Sequence, residues 1–354
     1  MKLYYALLSG LHASLPLAEL RGILEAEGYR YRIVEVFDQL AVFTCNCSSV
    51  ERVPWRAGLI HEAGLVLAAS EPKVDDIVDS LLATDLCSSL EPGDRVRVEF
   101  TRVRGYAKKA LPDNTARLIA EKITAAVRSC GVAMDPRNPT KTLHIIATQG
   151  AAVAGLRQAV QDRKLLDSHR PQKRPFFHPG SLDPRLARLF LNLSRAAPPG
   201  PYLDPFCGTG GFPLEAQTLG IPAICGELAD KLANGAKTNL QAYPGSQYII
   251  TIAQWDATQL PLRDNSIQSI GTDPPYGRSV STRGKKLETL LEQFLHEAAR
   301  VLKPGAYLAY AAPHWAEQKA LQYTEQAGLK PLEHHYMRVH GSLTRIIILA
   351  RKEH

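Results

Sequence analysis

Pro201-Tyr202-Leu203-Asp204-Pro205-Phe206-Cys207-Gly208-Thr209-Gly210-Gly211 reads as a short apolar strand, a glycine-rich turn and the start of a helix. Glycine tolerates positive φ and lets a backbone approach a ligand closely, so Gly208, Gly210 and Gly211 mark a turn built for contact. The spacing is not G-x-G-x-x-G, and an acid, Asp204, precedes the turn. Both features argue against a turn that cradles a pyrophosphate. Further on, Ala223-Ile224-Cys225-Gly226-Glu227 reads as the next strand, with Glu227 at its end. Tyr248-Ile249-Ile250-Thr251-Ile252 then leads to Trp255-Asp256-Ala257, and a later apolar run ends at Thr272-Asp273-Pro274-Pro275-Tyr276-Gly277. Taken singly, each acid is a solvated strand end or a helix cap. Asp204, Glu227, Asp256 and Asp273 together form an ordered set in a β–α alternation, and open α/β sheets bind ligands beyond the carboxyl ends of their strands.

The chemistry of the set is specific. A carboxylate at Asp204 suits a cationic ligand such as the amino group of S-adenosylmethionine. Glu227 can hold both ribose hydroxyls, as the equivalent acid does in dinucleotide folds, and Asp256 can accept from the adenine amine. The order fits a class I methyltransferase, a Rossmann-like α/β fold with a seven-stranded mixed sheet. Asp273, Pro274 and Tyr276 supply the catalytic half. Proline fixes φ and contributes a carbonyl with no competing N–H. Asp273 and the Pro274 carbonyl can therefore converge on the two hydrogens of one amine, while Tyr276 lies against the ring that bears it. Accepting both hydrogens frees a lone pair otherwise delocalised into the nucleobase. The reading is direct methyl transfer to a base amine, with no metal.

Composition bounds the alternatives. A chain of 354 residues is long enough for two or three domains, and no apolar run approaches the roughly 18–20 residues that span a bilayer. The N-terminus lacks a signal-peptide cleavage pattern and reads as a strand, so a cytoplasmic protein is expected. Six cysteines without a C-x-x-C pair form neither a disulfide framework nor a zinc site. His334 and His335 are adjacent on a strand and face opposite ways. A net charge of +7 favours a polyanionic partner. Arg95, Arg97, Arg102, Arg104, Lys108 and Lys109 cluster around Gly105-Tyr106, and Arg163, Lys164, Arg170, Lys173 and Arg174 form a second group. Such residues neutralise phosphates and release counterions. Arg102, Arg104, Lys108 and Lys109 are the candidate RNA contacts.

Strand and helix patterns alternate through residues 1–60, as Leu3–Leu8, Leu15–Glu27, Tyr31–Val36 and Leu40–Cys45. Helices are expected at Val74–Leu82, Thr115–Cys130, Leu287–Leu302 and His314–Ala327. Strands are expected at Asp94–Phe100, Leu143–Thr148 and Tyr307–Ala311, with a closing hairpin of Leu332–Val339 and Thr344–Ala350 around Gly341-Ser342. The basic segment from about Leu156 to Arg174 reads as a connection.

The chain resembles the archaeal tRNA guanine-N2 methyltransferases that modify guanosine at position 10. The likeness runs nearly its whole length, and its most specific pieces are Arg174-Pro175-Phe176-Phe177-His178-Pro179-Gly180-Ser181-Leu182, Asp204 through Gly211, Thr272 through Ser279, and His340-Gly341-Ser342-Leu343-Thr344-Arg345. The resemblance implies an α+β ferredoxin-like unit at 1–60, a THUMP RNA-binding domain at 61–152, a linker at 153–174 and the methyltransferase domain at 175–354. It implies S-adenosylmethionine as cofactor, held by His178, Ser181, Asp204, Phe206, Gly208, Thr209, Gly210, Glu227, Asp256, Ala257 and Asp273. Glu227 departs from the aspartate common at that place, but it still offers two acceptor oxygens. The implied partner is tRNA, with THUMP gripping the acceptor end. Related enzymes can work with a small zinc-containing activator protein; monomer is the default state. One or two methyl transfers, another tRNA or ribosomal RNA position, and adenine as the target all stay open from the residues alone, as does a non-catalytic RNA-binding protein.

Overall fold

The computed structural model describes residues 1–243, 250–275, 287–340 and 343–354. It divides into two compact units, Met1–Ala13 with Tyr29–Trp55 and Ile60–Gln161, and Ser14–Gly28 with Arg56–Leu59 and Asp162–His354.

The first unit is built on one eight-stranded sheet. Its strands are β1 (Lys2–Leu8), β2 (Tyr31–Phe37), β3 (Leu40–Cys45), β4 (Ile60–Ser70), β5 (Arg95–Arg102), β6 (Ala133–Met134), β7 (Lys141–Thr148) and β8 (Ala151–Val160), in the order β2-β3-β1-β4-β8-β7-β5-β6. Helices Val74–Leu82 and Thr115–Ser129 lay Ile77, Leu81, Ile119, Ile123 and Val127 against Leu143 and Ile145. The next strand residue, Ile146, joins Tyr5, Val42 and Val153 in a separate cluster, as the two-residue period of a strand requires. Two expectations need correction. The connection expected from about Leu156, within a linker at 153–174, is strand as far as Val160, the end of β8, which pairs with β4 and β7. Its Ala-Val-Ala-Gly-Leu run is short-chained yet buried, and a central strand needs no long side chains. Four of the six cysteines are paired, Cys45 with Cys47 and Cys87 with Cys130. The second pair fastens the end of the Thr115–Ser129 helix to the short Leu86–Ser89 turn, partners that only the fold brings together.

The second unit is a seven-stranded sheet of β9 (Tyr202–Asp204), β10 (Ala223–Gly226), β11 (Ile250–Ala253), β12 (Ile267–Thr272), β13 (Leu302–Pro313), β14 (Leu329–His340) and β15 (Leu343–Lys352). The order is β11-β10-β9-β12-β13-β15-β14. Neighbours from β11 to β13 pair in parallel, while β15 runs antiparallel to both β13 and β14. This is the mixed sheet expected of a class I methyltransferase. Its core sets Leu203, Ile270, Leu308 and Ile348 against Leu291, Phe294 and Leu295 of the Leu287–Val301 helix. Gly341-Ser342 and Tyr248-Ile249 lie outside the described residues.

The helix Leu15–Ala26 belongs to this second unit. It packs on the Pro184–Leu193 helix so closely that a Cβ on Gly22 would stand 2.2 Å from the Asn192 carbonyl oxygen. Fully buried Glu19 accepts hydrogen bonds from the Gly58 and Leu59 amides, each at 2.7 Å, and from the Asn192 amide at 2.9 Å. Burial pushes its carboxyl upward against those bonds. Four polar groups are thereby satisfied without water.

Candidate active site

Strand order fixes the site. Parallel chain leaves β9 toward β10 on one side and returns as β12 on the other, so a crevice opens at the carboxyl ends of β9 and β12. Leu203 pairs with Ile270 across these strands, which brings the residues after them together. Asp204 ends β9 fully buried. Its Oδ1 accepts from the Thr272 hydroxyl at 2.7 Å and from the Phe206 amide at 3.1 Å, while its buried Oδ2 has no hydrogen-bond partner. Burial, opposed by those two bonds and reinforced by Glu227 and Asp273, raises its carboxyl to about 7.

The glycine turn follows. Gly208 and Gly210 have φ of +51° and +82°. A Cβ at Gly208 would meet nothing within 4 Å, so the turn keeps an open face, whereas one at Gly210 would press on Ala236 at 3.1 Å. Glu227, just past β10, accepts from the Gly208 amide at 3.0 Å and the Ala229 amide at 2.8 Å. It is therefore bonded to the turn. Asp256 accepts from the Thr258 amide and hydroxyl at 2.9 and 2.7 Å, with Ala257 buried beside it. Before it, Trp255 lies on Gly226, where a Cβ would fall 1.3 Å from the indole nitrogen. Phe206 is half-buried, edge-on to Phe294 at 5.1 Å.

The segment from Arg174 to Leu182 runs over the turn and is fastened to it. Ser181 and Thr209 share a hydroxyl hydrogen bond of 2.7 Å. Asn239 donates to the carbonyls of Phe176 and Thr209, each at 2.9 Å, and accepts from the Phe176 amide at 2.8 Å. The Phe176 ring occupies the place a Cβ on Gly235 would take. His178 is half-buried and accepts at Nδ1 from the Gly180 amide at 3.2 Å. Arg174 is buried and donates to the His169 carbonyl at 2.9 Å, so it is not one of the surface cations. Asn239 carried no sequence signal, because an asparagine inside a helix is common until its partners are known.

Asp273 follows β12, and its Oδ2 is 3.0 Å from an Arg345 guanidinium nitrogen on β15. Pro274 is buried behind it, and Tyr276 lies outside the described residues. The structure thus gathers Asp204, Glu227 and Asp273 around one turn, with Ser181 bonded to Thr209 of that turn. In the first unit, Lys108 and Lys109 are exposed. Arg104 is also exposed and pairs with Asp38 at 3.0 Å. Arg102 is mostly covered, bonded to the Leu111 carbonyl at 3.0 Å and to Asp113 at 2.6 Å, which makes it a brace for the loop. Among the described residues no cluster of three or more His, Cys, Asp and Glu side chains is arranged to hold a metal. No described helix is long and apolar enough to cross a membrane.

The chain is similar to known proteins. The RMKL-like methyltransferase domain family matches residues 171–347. A tRNA (guanine(10)-N2)-dimethyltransferase of Methanothermobacter thermautotrophicus is 32% identical over 96% of this chain and 97% of its own. One from Pyrococcus abyssi is 30% identical over 97% and 98%. The crystal structure of TrmN from Thermus thermophilus superposes with a TM-score of 0.53 at 21% identity, covering 99% of both chains. At this identity over nearly the whole length of both chains, the chain belongs to the tRNA (guanine(10)-N2)-dimethyltransferase family.

Proposed function

We propose that this protein methylates the exocyclic N2 amine of guanosine 10 in tRNA, using S-adenosylmethionine. The observation that carries the reading is the meeting of Asp204 and Asp273 at the switch point of the sheet, beside the open glycine turn.

The chain's own groups fit the cofactor. A buried carboxylate oxygen without a partner is unfavourable by about 1–3 kcal/mol, and the Asp204 Oδ2 is such an atom. An ammonium group beside the turn would satisfy it. Gly208 leaves room for a ligand against bare backbone, and Glu227 and Asp256 offer carboxylates at the next two strand ends. His178, Ser181, Phe206, Thr209, Gly210 and Ala257 complete the proposed lining. Bound there, the cofactor supplies an electrophilic methyl group.

The protein's task is to present the amine. The target guanine leaves its stack, at roughly a few kcal/mol. Asp273 and the Pro274 carbonyl accept the N2 hydrogens, and Tyr276 stacks on the base. Arg345 holds the Asp273 carboxylate in one orientation. Asp273 or solvent then takes the proton that the amine loses. Orientation supplies most of the acceleration, because near-attack geometry replaces a bimolecular encounter. One hydrogen remains on nitrogen after the first transfer, so a second is chemically open.

Within the first unit, residues 61–152 serve as a THUMP domain that grips tRNA, its exposed Arg104, Lys108 and Lys109 meeting phosphates and Arg102 shaping their loop. The protein acts in the cytoplasm as a monomer, with a small zinc-containing activator as an optional partner. Single-turnover methylation tests the catalytic assignment. Asp273→Ala should abolish transfer and leave cofactor affinity near wild type; wild-type turnover by that variant would remove Asp273 from the mechanism.

A further inference from the structure

We infer that the surface formed by His314, Trp315, His334 and Tyr336 is a stacking platform for unpaired nucleotides flanking the target guanine. The inference rests on the proposed function and extends it to residues outside the cofactor and amine sites.

Tryptophan is normally well buried, yet Trp315 is 66% exposed and Tyr336 is 51% exposed. They belong to two elements that meet. Trp315 sits on the single turn His314–Ala316, directly after β13, while His334 and Tyr336 are on the outward face of β14. The Tyr336 ring lies 5.3 Å from His314 and 5.8 Å from His334, edge-on to both. Glu317 ties the group together. It accepts from the Tyr336 hydroxyl at 2.9 Å and has both imidazoles 3.6 Å away. The two imidazoles and the Tyr336 ring are held in place yet open to solvent, with the exposed Trp315 next to His314 in the chain.

Their position selects the occupant. Pro313, the residue before His314, pairs with Arg345, and Arg345 holds Asp273. The platform therefore adjoins the catalytic acid at the same end of the sheet. Exposed Arg338 continues the outward face of β14 toward that end. Flat rings, imidazoles and a guanidinium beside a base-extruding site fit unstacked RNA. Every base has a π-face, so such a surface holds nucleotides of any sequence.

The test uses the full-length protein and unmodified tRNA transcript, with wild-type methylation measured alongside. Trp315→Ala and Tyr336→Ala should each weaken tRNA affinity about 5- to 150-fold, the range for losing one base–aromatic stack. Affinity for S-adenosylhomocysteine should be unchanged. Trp315→Phe keeps a stacking face and should stay near wild type. Binding of tRNA should also quench tryptophan emission in the wild type more than in Trp315→Phe. Active wild type with both alanine variants binding tRNA normally would overturn the platform alone. Inactive wild type would overturn the function on which it rests. Self-association that Trp315→Ala abolishes, with tRNA affinity intact, would assign the surface to a second copy of the chain and also overturn the inference.

Discussion

Replacing Asp204 by asparagine should stabilise the cofactor-free protein at alkaline pH while destroying cofactor binding. Asp204 is fully buried, and its carboxyl is raised from 3.8 to about 7, chiefly by loss of solvation. An acid raised in the folded state favours folding when protonated. Its contribution is fully present below pH 3.8 and is lost as pH climbs through about 7. Three units at about 1.36 kcal/mol each give a penalty of about 4 kcal/mol at pH 8, but only about 1.5 kcal/mol at pH 5. Asparagine does not titrate. It keeps an acceptor for the Thr272 hydroxyl and the Phe206 amide, and leaves an amide group where Oδ2 was, at about 1–3 kcal/mol. That last cost is the same at both pH values and cancels in the comparison. Urea denaturation of wild type and Asp204→Asn at pH 5 and pH 8 should therefore show the variant gaining about 2–3 kcal/mol relative to wild type over that interval. Calorimetry should show S-adenosylhomocysteine binding lost. Parallel stability–pH curves would refute the buried-carboxylate argument.

Three further outcomes are expected. Gly226→Ala puts a methyl group onto the Trp255 indole, so it should displace that ring, weaken cofactor binding at least tenfold and lower the melting temperature; an unchanged calorimetric titration would contradict this. Cys130→Ser opens a disulfide whose cysteines lie 43 residues apart, which on the chain-entropy model costs about 4 kcal/mol; it should lower the unfolding midpoint of the first unit, and reductant should lower the midpoint of the variant far less than that of the wild type, because only the short-range Cys45–Cys47 pair remains to be opened. Neutralising Lys108 and Lys109 together should weaken tRNA binding and reduce the slope of log affinity against log salt by about 1.5–2, and an unchanged slope would move the phosphate contacts elsewhere.

Local sequence carried the catalytic sheet well. Each parallel strand is a compact apolar run, and Asp204, Glu227 and Asp273 each stand at the end of one. The hairpin of β14 and β15 was equally plain, because His334 and His335 alternate between exposed and buried as a strand demands. What sequence concealed was set by distance. Arg345 reaches Asp273 only because β15 is inserted between β13 and β14. Arg174 looked like a surface charge among its basic neighbours, yet its guanidinium turns inward to the His169 carbonyl. The Leu15–Ala26 helix reads as part of the first unit, but the close approach of Gly22 to Asn192 and the buried hydrogen bonds of Glu19 join it to the second. β4 and β8 have no clear strand pattern because alanine and glycine interrupt it, although they are neighbours in the middle of the sheet.

Nucleoside analysis of unmodified tRNA incubated with methyl-labelled S-adenosylmethionine bears most directly on the function. Wild-type protein should place label on N2 of guanosine 10, as the mono- or dimethylated nucleoside, and Asp273→Ala should place none. Label on adenosine, label at another position, or equal incorporation by the Asp273 variant would contradict it.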